Sequence, residues 1–485
     1  MSITDAQFSA WLDDSGAQRV TLFEVGVNSA GADITRYLSN RAYGGGSVPY
    51  LAIIAGGLKL TEAISLNAEA SLSAGDIEIV NADGKFDDWL DDIWVNKSIR
   101  AWVGDVRWAR ADFREIFNGI VADIGARSRD RLSLKLRDKF QRLNTPITDS
   151  KLGGTTPNKD LLLPLCFGEC HNVTPLLSNP VTLEYQVHDG AVESIFEVRD
   201  NGVPITVAVH NETGKFTLLA APAGAITCSV QGDKFGGVYR NTIAALVQRI
   251  ATGYGKASDR FASGDLDTVN LAAFEAAHPQ PVGLYIPDRM NVIEACRQLA
   301  SSVGAQAISS RTGLLRLIQI SFPTSATVEI RRSNQLDRTI TPGDRSDVAA
   351  AVKIGYCRNW TEQPGLQTAL PAQHKDLFAS AWLSATAVDV SVQAAYKLDA
   401  QPVQRDTCLQ AGTDAQAEAA RDLAIRKQVR TPYQFDGTPA MMLLEVGQAV
   451  KLFSTRFGLS AGKVAVVTSL TPDWSNFHVS VEVTI

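Results

Sequence analysis

Alternation of apolar and polar residues dominates the first part of the chain and predicts β-strands there. Arg131-Leu-Ser-Leu-Lys-Leu-Arg137 alternates without interruption, and Ile99–Val103 is one of several shorter runs. A period of two places every second side chain on one face, as in a half-buried sheet. Helical spacing is limited to Ala6–Leu12 and Lys139–Leu143. Residues 1–148 are therefore predicted to form an N-terminal β domain, a barrel or a sandwich.

A second β segment follows an arm rich in Gly, Thr and Pro. The arm, residues 149–180, has no sustained periodicity and is predicted to connect two domains. Between 181 and 235, short apolar runs are separated by turn sequences such as Asp200-Asn-Gly202 and Asn211-Glu-Thr-Gly214. Asn-Gly and Asp-Gly between apolar runs are strong hairpin signals. A small, separate β domain is predicted for residues 181–235.

Helical periodicity begins at Asn241. Apolar residues recur at i, i+3, i+4 and i+7 from Ile243 to Ile250, and Gly253 supplies a stop signal. Two more helices are predicted at 267–277 and 291–303, followed by a hairpin over 305–320. Residues 236–342 are therefore predicted to form an α+β domain.

Strands return in the last segment, 343–485, which is predicted to form a C-terminal β domain. Thr413-Asp-Ala-Gln416 has the pattern of a capping box and predicts the start of an alanine-rich helix. The final run, 477–485, alternates to the last residue and contains no proline, so it is predicted to lie in a barrel wall, in its own barrel or against a neighbour. The predicted fold class is mainly β with an α+β insertion, in a multidomain chain.

Composition narrows the class of protein. The chain has 485 residues, 45% of them hydrophobic and 20% charged, which predicts an ordinary globular protein of about three domains. The net charge of −6 argues against a protein built to hold nucleic acid. The N-terminus has no basic or apolar leader region, and the run Val48–Ala55 is too short to span a bilayer. Synthesis in the cytoplasm is the expectation.

Cysteine and histidine give one candidate metal group. The six cysteines are scattered, and only Cys166, Cys170 and His171 lie close together in sequence. These three side chains could bind zinc or an iron–sulfur cluster, but no second close pair completes a closed site. Buried thiols are the favoured interpretation. None of the histidines, including His374, lies in an HExxH setting, and GxSxG, Walker A and GxGxxG motifs are absent from the sequence.

The most acidic stretch is Val80-Asn-Ala-Asp-Gly-Lys-Phe-Asp-Asp-Trp-Leu-Asp-Asp92. If Gly84 occupied position six of a calcium loop, Ile79 and Leu90 would stand at positions one and twelve, where carboxylates are required. A turn with an acidic surface is therefore predicted. A glycosidase-type pair remains an alternative, and its candidate acids are Asp87, Asp88, Asp91 and Asp92.

Tryptophans offer a third possibility. Trp94, Trp102 and Trp108 alternate with charged residues and would serve a sugar-binding surface if they were exposed. A core position or a subunit contact would suit them equally well. No catalytic, cofactor-binding or metal-binding residue is predicted, no cofactor is expected, and the chain is not expected to be an enzyme.

Several short motifs occur in an order that resembles one family. The turn Asp76–Asp88 is similar to a strand followed by N-x-D-G-x-F-D, and Asp112–Ala122 to an F-x-G-x-v strand pair. Pro164–Pro175 is similar to a P-x-x-x-G…N-V-x-P arm, Ala351–Trp360 to the strand that opens a final domain, and Arg456–Leu459 to a connection between last strands. In this order the chain resembles the baseplate hub, or central tail hub, of long-tailed bacteriophages and gene transfer agents.

The resemblance implies a structural protein of the virion tail. Members of the family form a homotrimer whose subunits each contribute two tube-like barrels, so that a pseudo-sixfold ring closes the tail tube. The implied partners are the distal tail protein and tail tube, the tip or fibre proteins, and the tape measure protein, with genome DNA passing in transit. The chain carries no long C-terminal extension and no recognisable peptidase or lysozyme insertion. A depolymerase or glycosidase and a glycan-binding adhesin are the alternatives.

Overall fold

The computed structural model describes residues 3–56, 58–66, 71–336, 340–366, 370–398 and 401–485. The chain divides into two compact units. Unit 1 comprises residues 1–142, 308–346 and 429–485, and unit 2 comprises residues 143–307 and 347–428. Three separate stretches of chain therefore build unit 1. The boundaries of the five segments predicted from sequence remain a prediction.

The strands of the first half of the chain are β1 (Arg19–Ser29), β2 (Ala32–Ser39), β3 (Leu51–Ala52), β4 (Leu60–Ala63), β5 (Ser71–Ala74), β6 (Ile77–Val80), β7 (Ser98–Asp105), β8 (Arg114–Ser128), β9 (Arg131–Asp138), β10 (Leu165–Val173), β11 (Leu176–Asn179), β12 (Glu184–Gln186), β13 (Val192–Asp200), β14 (Val203–Pro204), β15 (Val207–His210), β16 (Lys215–Leu218), β17 (Ile226–Phe235) and β18 (Val238–Tyr239). Those of the second half are β19 (Gly283–Ile286), β20 (Ala305–Ser309), β21 (Leu315–Gln319), β22 (Val328–Ile330), β23 (Thr341–Pro342), β24 (Ala351–Tyr356), β25 (Leu383–Val388), β26 (Gln404–Asp406), β27 (Pro432–Gly437), β28 (Ala449–Leu452), β29 (Lys463–Asp473) and β30 (His478–Thr484).

The α-helices are α1 (Asp5–Asp13), α2 (Ile243–Gly253), α3 (Thr268–Ala277), α4 (Val292–Ser301), α5 (Ala372–Ala379), α6 (Val390–Tyr396) and α7 (Gly412–Arg426). The three helices predicted between 241 and 303 are confirmed, and β20 and β21 fall where the hairpin was predicted. The capping-box prediction is wrong in its register. Ala411 is the N-cap of α7, so Thr413 already lies inside the first turn.

The first sheet of unit 1 is a barrel wall whose two edges are joined by one short segment. Its strand order is β3-β2-β1-β7-β8-β9-β6. Leu51 and Ala52 pair with β2, and the Ile54 amide donates to the Ser39 carbonyl. The next residues reach the opposite edge, where the Ala55 amide donates to the Glu78 carbonyl of β6. Residues 51–55 therefore bring the first and last strands together and close the sheet.

The second sheet of unit 1 is closed in a comparable way. Its main order is β22-β28-β29-β30-β27-β23. The segment that begins at Val328 pairs with β28, and seven residues on, Gln335 forms a bridge with Gly437 at the end of β27. The Leu336 amide also donates to the Asp436 carbonyl. One segment again spans from one edge of the sheet to the other.

The two barrels of unit 1 share one hydrophobic core. A single cluster of buried side chains includes Phe23 and Phe117 from the first sheet and Phe435, Val467 and Val481 from the second. The fold class predicted from sequence, mainly β with an α+β insertion and two barrels, is confirmed. β30 corresponds to the final alternating run, residues 477–485. It pairs with β29 on one edge and β27 on the other, so it lies within its own barrel.

Unit 2 is built from smaller sheets and from the predicted helices. β10 lies between β17 and β19 in a sheet that also contains β13, β14 and β18. β11, β12, β16 and β15 form a four-stranded sheet, and β25, β24 and β26 form a three-stranded one. Amphipathic spacing in α2 and α4 buries their apolar faces, with Leu246, Ile250 and Leu299 fully covered.

Candidate functional site

A hairpin from the first barrel extends the sheet of the second barrel, and this junction is the candidate functional site. The Ile64 amide, just after β4, donates to the Thr468 carbonyl at 2.9 Å, and the Trp474 amide donates to the Leu58 carbonyl at 2.9 Å. Between these bonds, Glu62 of β4 pairs with Leu470 of β29. The first barrel thus supplies the β4–β5 hairpin as additional strands of the second sheet, which fixes the two barrels to each other.

A cavity of about 280 Å³ lies at this junction. Its walls come from α1, β4, β8, the turn after β20 and the chain around the 3-10 helix Pro439–Leu443. Its apolar lining residues are Phe8, Ile116, Ile308, Leu443, Val446 and Trp474. Its charged lining residues are Asp5, Glu62, Arg114, Glu115, Arg311, Arg316 and Glu445. The lining therefore combines apolar side chains with charged side chains of both signs.

The charged groups of the cavity are engaged with one another. Arg311 Nε lies 3.0 Å from Glu62 Oε2, and its other nitrogens donate to the carbonyls of Met442 and Leu444. Burial raises the pKa of the Glu62 carboxyl, and Arg311 opposes that rise. Arg316 pairs with Glu445 at 2.7 Å. Glu62 is not among the residues predicted from sequence. The available signal was its inward position, two residues after Leu60, in an alternating run.

One buried donor of the cavity has no acceptor. The Trp474 side chain is 1% exposed, and its Nε1 meets no hydrogen-bond partner among the residues that the structure describes. A buried indole N–H normally finds an acceptor, because leaving a polar group unpaired costs free energy. Trp474 thus lines the cavity while its indole N–H is buried without an acceptor.

Helix α1 seals one side of the junction and is held there by Asp105. This carboxylate is fully buried and accepts hydrogen bonds from Trp11 Nε1 at 3.0 Å, the Gln18 amide at 2.8 Å and Arg107 Nε at 2.6 Å. Burial acts to raise the pKa of Asp105, but the bonds from Arg107, Trp11 and Gln18 outweigh it and hold the pKa well below its usual range. At the far end of α1, Asp13 accepts from the Ala440 amide of the second barrel.

The acidic stretch after β6 is a structured turn. Asn81 is 1% exposed; its side-chain oxygen accepts from the Phe86 amide at 2.9 Å, and its nitrogen donates to Asp87 at 2.7 Å. Gly84 takes a positive φ of 68°, as the turn requires. Asp88 and Asp91 are exposed, with their side chains outside any enclosed site. Among the described residues no group of three or more His, Cys, Asp or Glu side chains is placed to hold a metal ion.

The last acid of this stretch supports an aromatic cluster. Asp92 forms an ion pair with Arg36, whose guanidinium lies 4.3 Å from the centre of the Trp89 ring. Trp94 donates its indole N–H to the Trp89 carbonyl at 2.7 Å. The prediction of a turn with an acidic outer surface is consistent with this geometry. Of the acids considered for a glycosidase-type pair, Asp92 is bound to Arg36.

The three tryptophans considered for sugar binding do not form one exposed surface. Trp94 is 1% exposed in the shared core, and Trp102 is 6% exposed under the aromatic residues Tyr43 and Tyr50. Trp108 is half-buried, and its ring centre lies 4.6 Å from that of Trp11, with the two rings tilted against each other. Of the alternatives left open for these residues, a core position holds for Trp94 and Trp102, while Trp108 is only half-buried.

In unit 2, the cysteines predicted as a candidate metal group are core residues. Cys166 and Cys170 have no exposed surface and pack with Cys228 and Tyr285 in one apolar cluster. Burial raises the pKa of the Cys170 and Cys228 thiols, which keeps them protonated and unreactive. His171 lies on the opposite face of β10, where its Nε2 is 3.1 Å from Glu169. The strand therefore separates His171 from the two thiols.

A second buried carboxylate organises unit 2. Asp233 of β17 accepts from Arg249 Nε at 2.8 Å and from the Tyr254 hydroxyl at 2.7 Å, and lies 3.5 Å from His188 Nε2. Burial acts to raise the pKa of Asp233, but these hydrogen bonds hold it well below the usual range. The other ring nitrogen of His188 accepts from the Cys166 amide at 3.0 Å, so the imidazole links β10 to β17. The contacts of His188 are therefore those of a residue that holds two strands together.

Two of the family-like motifs meet in unit 2. Asn172, in the left-handed region at φ 54°, donates its side-chain amide to Asn359 Oδ1 at 2.6 Å. Thr174 and Thr361 share a hydrogen bond of 2.7 Å. Asn172 and Thr174 belong to the arm motif, Pro164–Pro175. Asn359 belongs to the strand motif, Ala351–Trp360. The structure thus brings together motifs that stand far apart in sequence.

No protein-family model and no curated protein matches the chain. Among solved structures, it is similar to the 43 kDa tail protein of prophage MuSo2 from Shewanella oneidensis, with 11% identity, coverage of 95% of this chain and 98% of that one, and a TM-score of 0.40. It is similar to a tail protein from Neisseria meningitidis MC58, with 10% identity, coverage of 95% and 96%, and a TM-score of 0.37.

A chain of the virion of a native gene transfer agent particle is also similar, with 14% identity, coverage of 71% of this chain and 91% of that one, and a TM-score of 0.41. At these identities the likeness concerns the fold alone. In the described part of the chain, the helices fall short of the length and apolar character that crossing a membrane requires.

Proposed function

We propose that the chain is a structural hub protein of a phage-type tail, three copies of which form a ring that closes the tail tube. The observation that carries this proposal is the pair of barrels in unit 1, each closed by a crossing segment and joined through one core and the β4–β5 hairpin. Two similar barrels in one rigidly joined unit supply two neighbouring positions of a ring. Three copies would then present six barrels to a sixfold tube.

The same proposal gives the partners and the location. The ring would lie in the virion tail, with the distal tail protein and tail tube on one side and the tip or fibre proteins on the other. The tape measure protein and the genome would pass through its channel. The net charge of −6 supports passage, because a chain without a cationic excess does not hold a polyanion.

A structural role also fits the chemistry of the chain. Asp87 and Asp92, two of the four candidate acids, are bonded to Asn81 and Arg36, and Asp88 and Asp91 are exposed to solvent. A general acid needs a raised pKa, which burial ordinarily supplies. Of the three tryptophans considered for an adhesin, Trp94 and Trp102 are buried and Trp108 is half-buried. Neither alternative has a built site in the described residues.

The test is the assembly state of the purified full chain. Mass photometry should show a species at three times the 52.2 kDa chain mass, and electron microscopy should show rings with a central channel. The rings should bind isolated tail tubes at one end. A chain that stayed monomeric at high concentration and never joined tubes would refute the proposal, as would cleavage of capsule or peptidoglycan that is lost in Asp88→Asn.

A further inference from the structure

Arg358, which lies just after β24 in unit 2, carries a charge without a bonded partner. The residue is half-buried, and among the described residues its guanidinium forms neither an ion pair nor a hydrogen bond. Burial lowers the pKa of this arginine, because its charge is partly removed from water. Asp406 opposes this effect through space, but its carboxylate accepts a hydrogen bond from Gln404 at 2.7 Å instead. A partly desolvated cation of this kind is stabilised when an anion binds to it.

Two tryptophan rings lie beside this guanidinium. Its central carbon is 3.8 Å from the centre of the Trp360 ring and 5.2 Å from that of the Trp382 ring, within the range of cation–π attraction. A guanidinium that contacts a ring with its flat face keeps the N–H donors at its edge for a ligand. The Arg358 nitrogens are not among the buried, unpaired polar atoms of the described chain, so these donors are accessible.

Backbone and ring contacts hold both tryptophans in place. Asn359 and Ala381 directly precede Trp360 and Trp382, and the Asn359 amide donates to the Ala381 carbonyl at 2.9 Å. One hydrogen bond therefore joins the two segments that carry the rings. The Trp360 ring also meets the buried Tyr285 ring edge-on, with their centres 5.7 Å apart. A site that is ordered before binding loses little conformational entropy when a ligand arrives.

Other arginines of the chain indicate which ligand suits this arrangement. Three of them lie over a tryptophan ring, 3.9 to 4.8 Å from its centre, and each is also paired with a carboxylate. These pairs are Arg36 with Asp92, Arg100 with Glu115, and Arg110 with Glu24. Arg358 has the aromatic contacts of the same arrangement and lacks the carboxylate.

In unit 2, Arg249 shows how such a carboxylate is held. Its guanidinium lies 4.1 Å from the centre of the Phe235 ring and binds Asp233 through two hydrogen bonds of 2.8 and 3.1 Å. One planar set of donors matches one carboxylate in this way. A nucleic-acid strand is a less suitable ligand, because binding to its phosphates depends on several cations acting together and the chain has a net charge of −6.

We propose that Arg358, Trp360 and Trp382 form a docking site for a partner protein, which places a glutamate or aspartate carboxylate against the guanidinium. The carboxylate accepts two parallel hydrogen bonds from Arg358, and the indole rings cover the apolar part of the same side chain. The site lies wholly in unit 2. The inference is therefore independent of the ring assembly proposed for the barrels of unit 1.

The direct test uses the full chain labelled with fluorotryptophan, so that fluorine NMR reports on each indole ring. Trp360→Phe and Trp382→Phe assign the two signals of the site. The acetylated peptide Gly-Glu-Leu-Glu-Gly should shift both signals saturably, and the matched peptide Gly-Gln-Leu-Gln-Gly should leave them unchanged. No shift with the acidic peptide overturns the inference, as does a shift with single-stranded oligothymidylate alone. Signals that move when the chain alone is diluted would identify a second copy as the occupant and also overturn it.

A substitution pair gives an independent measure. Arg358→Gln should weaken binding of the acidic peptide by roughly tenfold or more. Arg289→Gln, which removes the same charge from a side chain of unit 2 that is 73% exposed, should bind the peptide as the wild type does. Because no described residue is paired with Arg358, the unfolding temperature of Arg358→Gln should match that of the wild type. A lowered unfolding temperature with unchanged peptide binding would show that the guanidinium serves the fold alone, which contradicts the inference.

Discussion

Asp105 is a fully buried carboxylate that accepts hydrogen bonds from three residues at once. Because its folded pKa lies below the ordinary value of about 3.9, the ionised form stabilises the fold at neutral pH. That contribution is present above about pH 4 and is lost as the pH falls toward the folded pKa. Asp105→Asn should therefore lower the free energy of unfolding at neutral pH by about 3 kcal/mol.

Urea denaturation at neutral pH and near pH 3 measures both effects. The wild type should lose stability between the two conditions, and Asp105→Asn should lose less, because the titrating group is gone. Asp130→Asn, at an exposed turn, is the control and should behave as the wild type. An Asp105→Asn protein with wild-type stability at both conditions would show that the carboxylate does not hold α1.

Asn81 accounts for the order of the acidic turn, and the aspartates beside it do not. Its side chain is buried and bonded to Phe86 and Asp87, so Asn81→Ala leaves a buried amide unpaired and should cost about 1–3 kcal/mol. Asp83→Ala, an exposed neighbour in the same turn, should change stability by no more than about 0.5 kcal/mol. Chemical denaturation compares the two.

Calcium titration by calorimetry completes this comparison. We expect no heat of binding tighter than roughly millimolar, because Asn81 and Asp92 are committed to protein partners and Asp88 and Asp91 are dispersed on the surface. Tight binding that disappeared in Asp83→Ala would contradict the account of this turn.

At the scale of elements, the β4–β5 hairpin is what joins the two barrels through backbone hydrogen bonds. The Ile64 amide makes one such bond across the junction, and the Ile64 side chain is 4% exposed in the shared core. Ile64→Ala removes only side-chain packing and should cost about 2–5 kcal/mol. Ile64→Pro also removes the amide, so it should cost about 1–3 kcal/mol more.

The difference between the two variants isolates the cross-barrel bond. Denaturant unfolding followed by tryptophan fluorescence should show a single transition of unit 1 for Ile64→Ala and a broadened or split transition for Ile64→Pro. If both variants unfolded with the same midpoint and the same slope, the hydrogen bond to Thr468 would not contribute to the junction.

At the scale of the whole molecule, the shared core makes the two barrels one unit. Val481 lies at the centre of β30 and is 1% exposed, so Val481→Lys buries a charge without a partner and should cost more than about 4 kcal/mol. Because the first barrel packs against the same cluster, it should lose its order together with the second barrel.

Hydrogen exchange read by mass spectrometry distinguishes the units. In Val481→Lys, protection should fall in β1–β9 and β27–β30 together, while the helices α2 and α4 of unit 2 keep theirs. Ser480→Lys places the same side chain on the exposed face of the same strand and should leave protection unchanged. A first barrel that stayed protected in Val481→Lys would mean that its core is independent.

Local periodicity determined much of the secondary structure. The alternation of Arg131–Arg137 became β9, the spacing of Ile243–Ile250 became α2, and the last alternation became β30. These elements follow from sequence because a side chain's direction is fixed by the period of its own backbone. The mainly β class and the α+β insertion follow from the same patterns, whereas the two barrels were implied by the resemblance to tail hub proteins.

What the tertiary structure alone decided is which elements meet. No strand is predicted from sequence for residues 51–55 or 328–336, yet they close two sheets, because their partners lie on strands distant in the chain. The alternating run around Glu62 indicates an inward side chain, but its ion pair with Arg311 joins residues far apart in the chain. Long-range contacts of this kind are set by the packing of the whole core and not by any one period.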